Sequence, residues 1–243
     1  MQADVYAPPA AIELPDVRRA SFLRKTYAHL FLAIMGFIAI DTAILLLVPT
    51  DTLLNITNMA TGGWGWLVVL GAFMGVSYVA ERMARSATSL AAQYGGLALG
   101  VTAWSVLFVP ILLMAAIMGG DANSMGLDII ATAGGLTALV FAGLTSVVFF
   151  SGVKFGFLRG FLAVGGLAAM GAIGLSIVFG WTLGIWFTAA MVVFASASVM
   201  YKTSAILHDY REDQYVSAAL GLFASVALLF WYILRLVMAF GRD

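Results

Sequence analysis

The chain contains no cysteine among its 243 residues, which rules out disulfides, thiolate metal sites and thiol catalysis together. Charge is almost as scarce: charged residues make up 10% of the sequence, twelve basic and twelve acidic, and the formal net charge is zero. No overall field is left to gather nucleic acid or an acidic partner. Only two histidines are present, His29 and His208, too few and too far apart in sequence for a transition-metal centre. Gly-x-Ser-x-Gly, His-Glu-x-x-His, a phosphate loop and a dinucleotide fingerprint are all missing. Gly95-Gly96-Leu97-Ala98-Leu99-Gly100 is rich in glycine, but it lies inside an apolar run with no strand before it, so it is not read as a nucleotide site. The expectation is a protein without cofactor or metal and without enzymatic activity.

Apolar residues, by contrast, make up 63% of the chain, and mean hydropathy is +1.03. That is far from the composition of a soluble domain. A bilayer core about 30 Å thick needs about 20 apolar residues per helix. Seven such runs stand out: Tyr27 to Val48, Trp64 to Ala80, Leu90 to Ala115, Ile129 to Phe150, Leu158 to Phe179, Leu183 to Tyr201 and Val216 to Phe240. The fold class expected is all-α and polytopic, with a cytoplasmic tail over residues 1–25 and a seven-helix transmembrane domain over 26–243. The tail holds Pro8, Pro9 and Pro15 among mixed charges and lacks the apolar core of a signal peptide. Its last part, Asp16 to Lys25, fits a short interfacial helix.

Lysine and arginine set the orientation, because cytoplasmic loops keep positive charge during insertion. With the N-terminus inside, Arg18, Arg19, Arg24, Lys25, Arg82, Arg85, Lys154, Arg159, Lys202 and Arg211 share the cytoplasmic side, and only Arg235 and Arg242 lie toward the other. The connections around Asp51 and Asp121 carry no basic residue, while Trp64, Trp66, Trp181 and Trp186 fall where an outer aromatic belt belongs. Small residues recur every four positions at Ala138, Ala142 and Ser146 and again at Ala168, Ala172, Ser176 and Gly180. In lipid such ladders let helices approach closely, so both are expected to pack inside one bundle. The last span has no lysine for a retinal Schiff base, which excludes a rhodopsin.

Ionisable groups at membrane depth are functional candidates by default. Asp41 is the acid deepest in a span: either a proton or cation ligand facing the bundle interior, or a carboxylic acid hydrogen-bonded to a neighbouring helix. Glu81, Arg82 and Arg85 close the second span, either fixing topology or forming a gate with an acid of another helix. Asp209 and Asp213 belong to a mixed-charge connection before the last span.

Four segments resemble the Bax inhibitor-1 family. Arg24-Lys25-Thr26-Tyr27 is similar to its Arg-x-x-Tyr opening. Phe141 to Thr145 followed by Phe155-Gly156-Phe157-Leu158-Arg159-Gly160 resembles its fourth helix and the Asp-Phe-Ser-Phe-Leu-Gly-Gly turn. Tyr201-Lys202-Thr203 stands where the family has Tyr-Asp-Thr, and Tyr215 to Phe223 with Tyr232 to Leu236 resembles its last helix. The resemblance implies six helices around a central seventh, and in better-understood members a pH-sensitive calcium leak gated by two aspartates that share a proton. Matching the motifs puts Lys202 on the first aspartate, Ser225 on the second, Leu228 on a common asparagine and Lys154 on the aspartate of the turn. A lysine there repels divalent cations, and Lys202 is expected to make an ion pair or hydrogen bonds on the cytoplasmic side, with Asp209 and Asp213 the nearest candidates in the sequence. The reading that follows is a helical scaffold, accessory subunit or regulator of a membrane complex in a bacterial cytoplasmic membrane, with the family's pH and calcium site lost. A cation leak using other acids is the alternative: it calls for a polar cavity reaching Lys202, whereas a scaffold calls for an exposed ridge of helix. The partners expected are the lipid bilayer and another membrane protein, and no nucleic acid.

Overall fold

The computed structural model describes residues 10–62, 64–86, 88–119 and 127–241, so Pro8, Pro9, Asp121 and Arg242 of the sequence reading lie outside the described residues. Eight α-helices are present among them: α1 Asp16–Leu47, α2 Thr50–Thr61, α3 Gly65–Ala84, α4 Leu90–Met118, α5 Leu127–Ser151, α6 Leu158–Phe179, α7 Gly184–His208 and α8 Tyr215–Phe240. Seven of them, all but α2, are long and apolar enough to cross a bilayer. The expected interfacial helix and first span are one rod, because nothing between Asp16 and Leu47 breaks the helix; Val48-Pro49 then stops it, since proline forces an extended residue before it. The tail boundary at residue 25 therefore falls inside α1. Ahead of α1, Ala11 and Leu14 are buried, and the amide of Ala11 donates to the carbonyl of Tyr210, 3.0 Å away, tying the tail to the connection between α7 and α8. α2 was not foreseen; it is too short to span and buries Leu53 while packing on α3 and α4. α7 runs about two turns past its expected end at Tyr201, so Lys202 lies within the helix.

α8 is the axis, with α1, α3, α4, α5 and α7 packed around it. α6 packs chiefly on α7 and contributes no fully buried residue, which departs from a ring of six. The reason lies in the glycines. A Cβ on Gly96 would come within 2.5 Å of the Ala80 carbonyl oxygen and the Ala84 nitrogen, and one on Gly100 within 2.6 Å of Leu220 Cδ1. Bare backbone at these two positions, one turn apart, lets α3 and α8 press against α4. The glycine-rich stretch rejected as a nucleotide site is thus the tightest seam of the bundle. In contrast, Ala138, Ala142, Ser146, Ala168 and Gly180 are exposed, and a Cβ on Gly134, Gly135, Gly143, Gly171 or Gly174 would meet nothing within 4 Å. The ladders of α5 and α6 do not close the monomer as expected, because neither helix turns that face toward α8.

Aromatic rings fill the middle of the seam. Phe108, fully buried, meets Phe37 edge-on at 4.9 Å, stacks on Phe230 at 5.5 Å and receives Trp231 edge-on at 5.0 Å between centroids. Trp64, Trp181 and Trp186 are exposed as a belt requires, but Trp66 stacks on Trp231 at 6.3 Å.

Gly96→Ala is expected to destabilise the purified protein by about 1–3 kcal/mol, because backbone rather than a flexible side chain opposes the new methyl. Gly171→Ala, with open space around it, should change stability by less than about 0.5 kcal/mol. Thermal melting followed by tryptophan fluorescence compares the two.

Candidate functional site

One end of the bundle gathers most of the charge, and two of the ion pairs there join segments far apart in the chain. Arg18 donates to Glu212, fastening the start of α1 to the start of α8. Lys154, in the turn after α5, meets Asp209 at the end of α7 at 2.6 Å, and the amide of Phe155 donates to Ser204 Oγ at 2.9 Å. The turn is thereby held onto α7 by a charged pair and a hydrogen bond. Arg211 pairs with Asp213 at 3.0 Å.

With Asp209 and Asp213 so engaged, the partnership expected for Lys202 is not formed. Among the described residues Lys202 has no ion pair within 4 Å. Instead its half-buried side chain lies over Gly221 of α8: a Cβ at that glycine would sit 3.5 Å from Lys202 Nζ and 3.5 Å from Tyr210 Oη. Glu81 and Arg85 are the charged groups that act on it from α3, and they pair with each other at 3.2 Å. The gate considered for Arg82 or Arg85 with an acid of another helix is absent, since Arg85 turns back to its own helix and Arg82 is exposed without an ion pair among the described residues. Burial pushes the Tyr210 phenol above its ordinary range, so it stands beside Lys202 as a neutral hydroxyl.

One turn along α8 from Gly221, Ser225 is buried and lies 2.9 Å from Ser198 Oγ of α7 and 3.2 Å from the carbonyl oxygen of Gly221, which accepts from it. Lys202 of α7 therefore lies by Gly221 of α8, and Ser225, one turn further along α8, is a satisfied neutral hydroxyl. No proton is shared and no carboxylate is offered to a cation. Indeed, among the described residues no three histidine, aspartate or glutamate side chains gather as a metal centre would require. The indentation at this end, lined by Arg85, Gln93 and Asp213, has a volume of about 10 Å³, room for about one water.

Further motif residues converge nearby. The Tyr27 hydroxyl from α1 faces Thr145 of α5 and Thr203 of α7, although no well-directed hydrogen bond closes among the three. His29 Nδ1 donates to the Lys25 carbonyl at 2.7 Å, while its Nε2 lies 3.1 Å from the Tyr94 hydroxyl of α4. Parts of all four segments that carry the resemblance thus meet at the Tyr215 end of α8, whereas Tyr232 to Leu236 lies toward its other end.

A family model described as inhibitor of apoptosis-promoting Bax1 matches residues 19–242. The chain belongs to the Bax inhibitor-1 family. An uncharacterised protein of Pseudomonas aeruginosa is 36% identical over 121 residues, 49% of this chain and 53% of that protein, so the match spans about half the length of that relative. Uncharacterised proteins from serogroup A and serogroup B strains of Neisseria meningitidis are each 27% identical over 245 residues, covering 100% of both chains. No solved structure matches. Membership in this family, with seven apolar helices, makes the chain a multi-pass integral membrane protein with bacterial relatives.

Asp41 is not brought to this end. It lies in α1, six residues before the helix ends, about 9 Å from its far terminus, and is buried at 4% exposure with both carboxylate oxygens unpartnered. The sequence singled it out by depth, but the cavity beside it, formed by five helices, left no signal in any one segment.

Lys202→Met is expected to leave stability within about 0.5 kcal/mol of the parent or to raise it, because a half-buried ammonium without an ion pair gains little from its charge. A fall of more than about 2 kcal/mol in the melt would mean that the ammonium has a strong partner.

Proposed function

We propose that this Bax inhibitor-1 family protein is a non-enzymatic helical scaffold, acting as an accessory subunit or regulator of a membrane complex in a bacterial cytoplasmic membrane. The observation that carries this reading is the exposed small-residue face of α5 and α6. Ala138, Ala142, Ser146 and Ala168 are exposed, and a Cβ on Gly134, Gly135, Gly143, Gly171 or Gly174 would meet nothing within 4 Å, whereas Gly165 and Gly166 face Phe194 of α7. In a bilayer, where lipid is as apolar as leucine, small residues bring helices together by close van der Waals approach, so such a face suits another protein's helix better than lipid chains. The chemistry at Lys202 and Ser225 points the same way: a basic side chain and a hydroxyl stand where the resemblance puts paired acids, and the Ser198–Ser225 bond joins α7 to α8 without charge. The N-terminus is cytoplasmic and the C-terminus external in this reading, since the lysine- and arginine-rich ends of α1, α3, α5 and α7 meet at one side.

A cation leak is the second reading. It is favoured by one observation, the buried and unpartnered Asp41, but the larger cavity lies beside Asp41 and away from Lys202.

Calcium flux into proteoliposomes separates the two. The scaffold reading expects no flux through the wild type, and flux that falls with acidity in the Lys202→Asp, Ser225→Asp double variant would show that the fold is a leak closed by substitution. Calcium flux through the wild type overturns the scaffold reading in favour of the leak.

A further inference from the structure

At the end of the bundle away from Lys202, α1, α2, α4, α5 and α8 enclose a cavity of about 320 Å³. That is the size of a small-molecule pocket, whose usual range is about 300–1,000 Å³. Its walls are almost wholly apolar, with Leu112 and Ile130 among them and the rings of Phe37 and Phe230 at one side. Asp41 is the one charged residue in the lining. Both of its oxygens are buried, and the one polar side chain that acts on them is the Ser105 hydroxyl, with no well-directed hydrogen bond closing between the two. A carboxylate buried in apolar surroundings without a partner is costly, so a cavity that keeps one is built either for a proton or for a cation.

The rest of the lining decides between kinds of cation. Calcium takes about six to eight oxygen ligands and magnesium a near-ideal octahedron of them. Besides Asp41, only the hydroxyls of Thr42 and Thr50 belong to the lining side chains, so a bare inorganic ion would be left far short. An organic ammonium needs one counter-charge for its head, aromatic faces beside it and apolar walls for its body, and those are what Asp41, Phe37, Phe230 and the leucines provide. Access is from the lipid side, since Ile38, Leu46 and Ile117 line the cavity and are themselves exposed on the outside of the bundle.

We propose that this cavity binds a lipophilic organic amine in its protonated form, the ammonium against Asp41 and the hydrocarbon between α1, α4 and α8. The site is independent of the scaffold reading and stands or falls without it.

Equilibrium binding of tritiated phenylbutylammonium to the full chain in nanodiscs tests the proposal, with phenylbutanol as a neutral probe of the same shape and empty nanodiscs as the partition control. The amine should bind saturably and more tightly than the alcohol. Asp41→Asn should weaken the amine by about tenfold or more and leave the alcohol unchanged. Ala116→Phe, which fills the cavity and keeps the acid, should abolish saturable binding of both. Equal binding of amine and alcohol to the wild type would overturn the proposal, since the cavity would then be an apolar gap that recognises no charge, and this comparison needs no variant to fold. Displacement of the amine by millimolar calcium, lost in Asp41→Asn, would also overturn it and assign the site to an inorganic ion.

Discussion

Everything else in this bundle depends on α4 having no side chain at Gly96 and Gly100. There the backbone of α3 and Leu220 of α8 come closer than any Cβ would allow. In lipid, helix association draws little from the hydrophobic effect and rests on close van der Waals approach, so the two bare positions matter more than they would in water. From this seam α8 becomes the axis, Phe108 finds space between Phe37, Phe230 and Trp231, and α1, α5 and α7 complete the wall. α6, which reaches α8 only through α7, is left at the side.

The same arrangement produces two chemically different ends. Where α7 and α8 meet their connection, Lys154 pairs with Asp209 and Arg18 with Glu212, and the Ser198–Ser225 bond joins the two helices without charge. Toward the other end, Asp41 sits buried among leucines, threonines and phenylalanines at the side of the cavity. The aromatic core around Phe108 lies between the two ends. A scaffold with a side pocket is consistent with that division, whereas a conducting path would have to cross it.

Much of the fold was legible in the sequence, because hydropathy is a strong signal when water is excluded from the middle of every helix. Five of the seven spans lay within a few residues of their observed limits, and Leu158–Phe179 matched at both ends, whereas α1 begins eleven residues before its expected start and α7 ends seven residues past its expected end. α7 ran long because Lys202 and Thr203 read as a break, yet polar side chains at a helix end are accommodated by the interface. α2 was missed because twelve residues rich in threonine and asparagine carry no span signal. Partner choice was beyond sequence: Asp209 is the acid nearest to Lys202 in the chain, but it pairs with Lys154 of the turn after α5. The small-residue ladders were read as internal seams because periodicity reveals that a face is small, never which way it points. The glycines that do close the bundle, Gly96 and Gly100, show the same spacing.

If the outward ladders of α5 and α6 exist to receive another helix, the protein in its own membrane and the protein alone in lipid must differ at those faces. Since the chain has no cysteine, single nitroxide labels can be placed at Ala142 of α5 and Ala168 of α6, and their oxygen accessibility compared by spin resonance in native vesicles and in purified proteoliposomes. The account expects both labels to be oxygen-accessible and mobile in proteoliposomes but shielded and slowed in native vesicles. Equal, lipid-like accessibility in both settings would contradict it, because no partner would then be covering the face on which the proposed role depends.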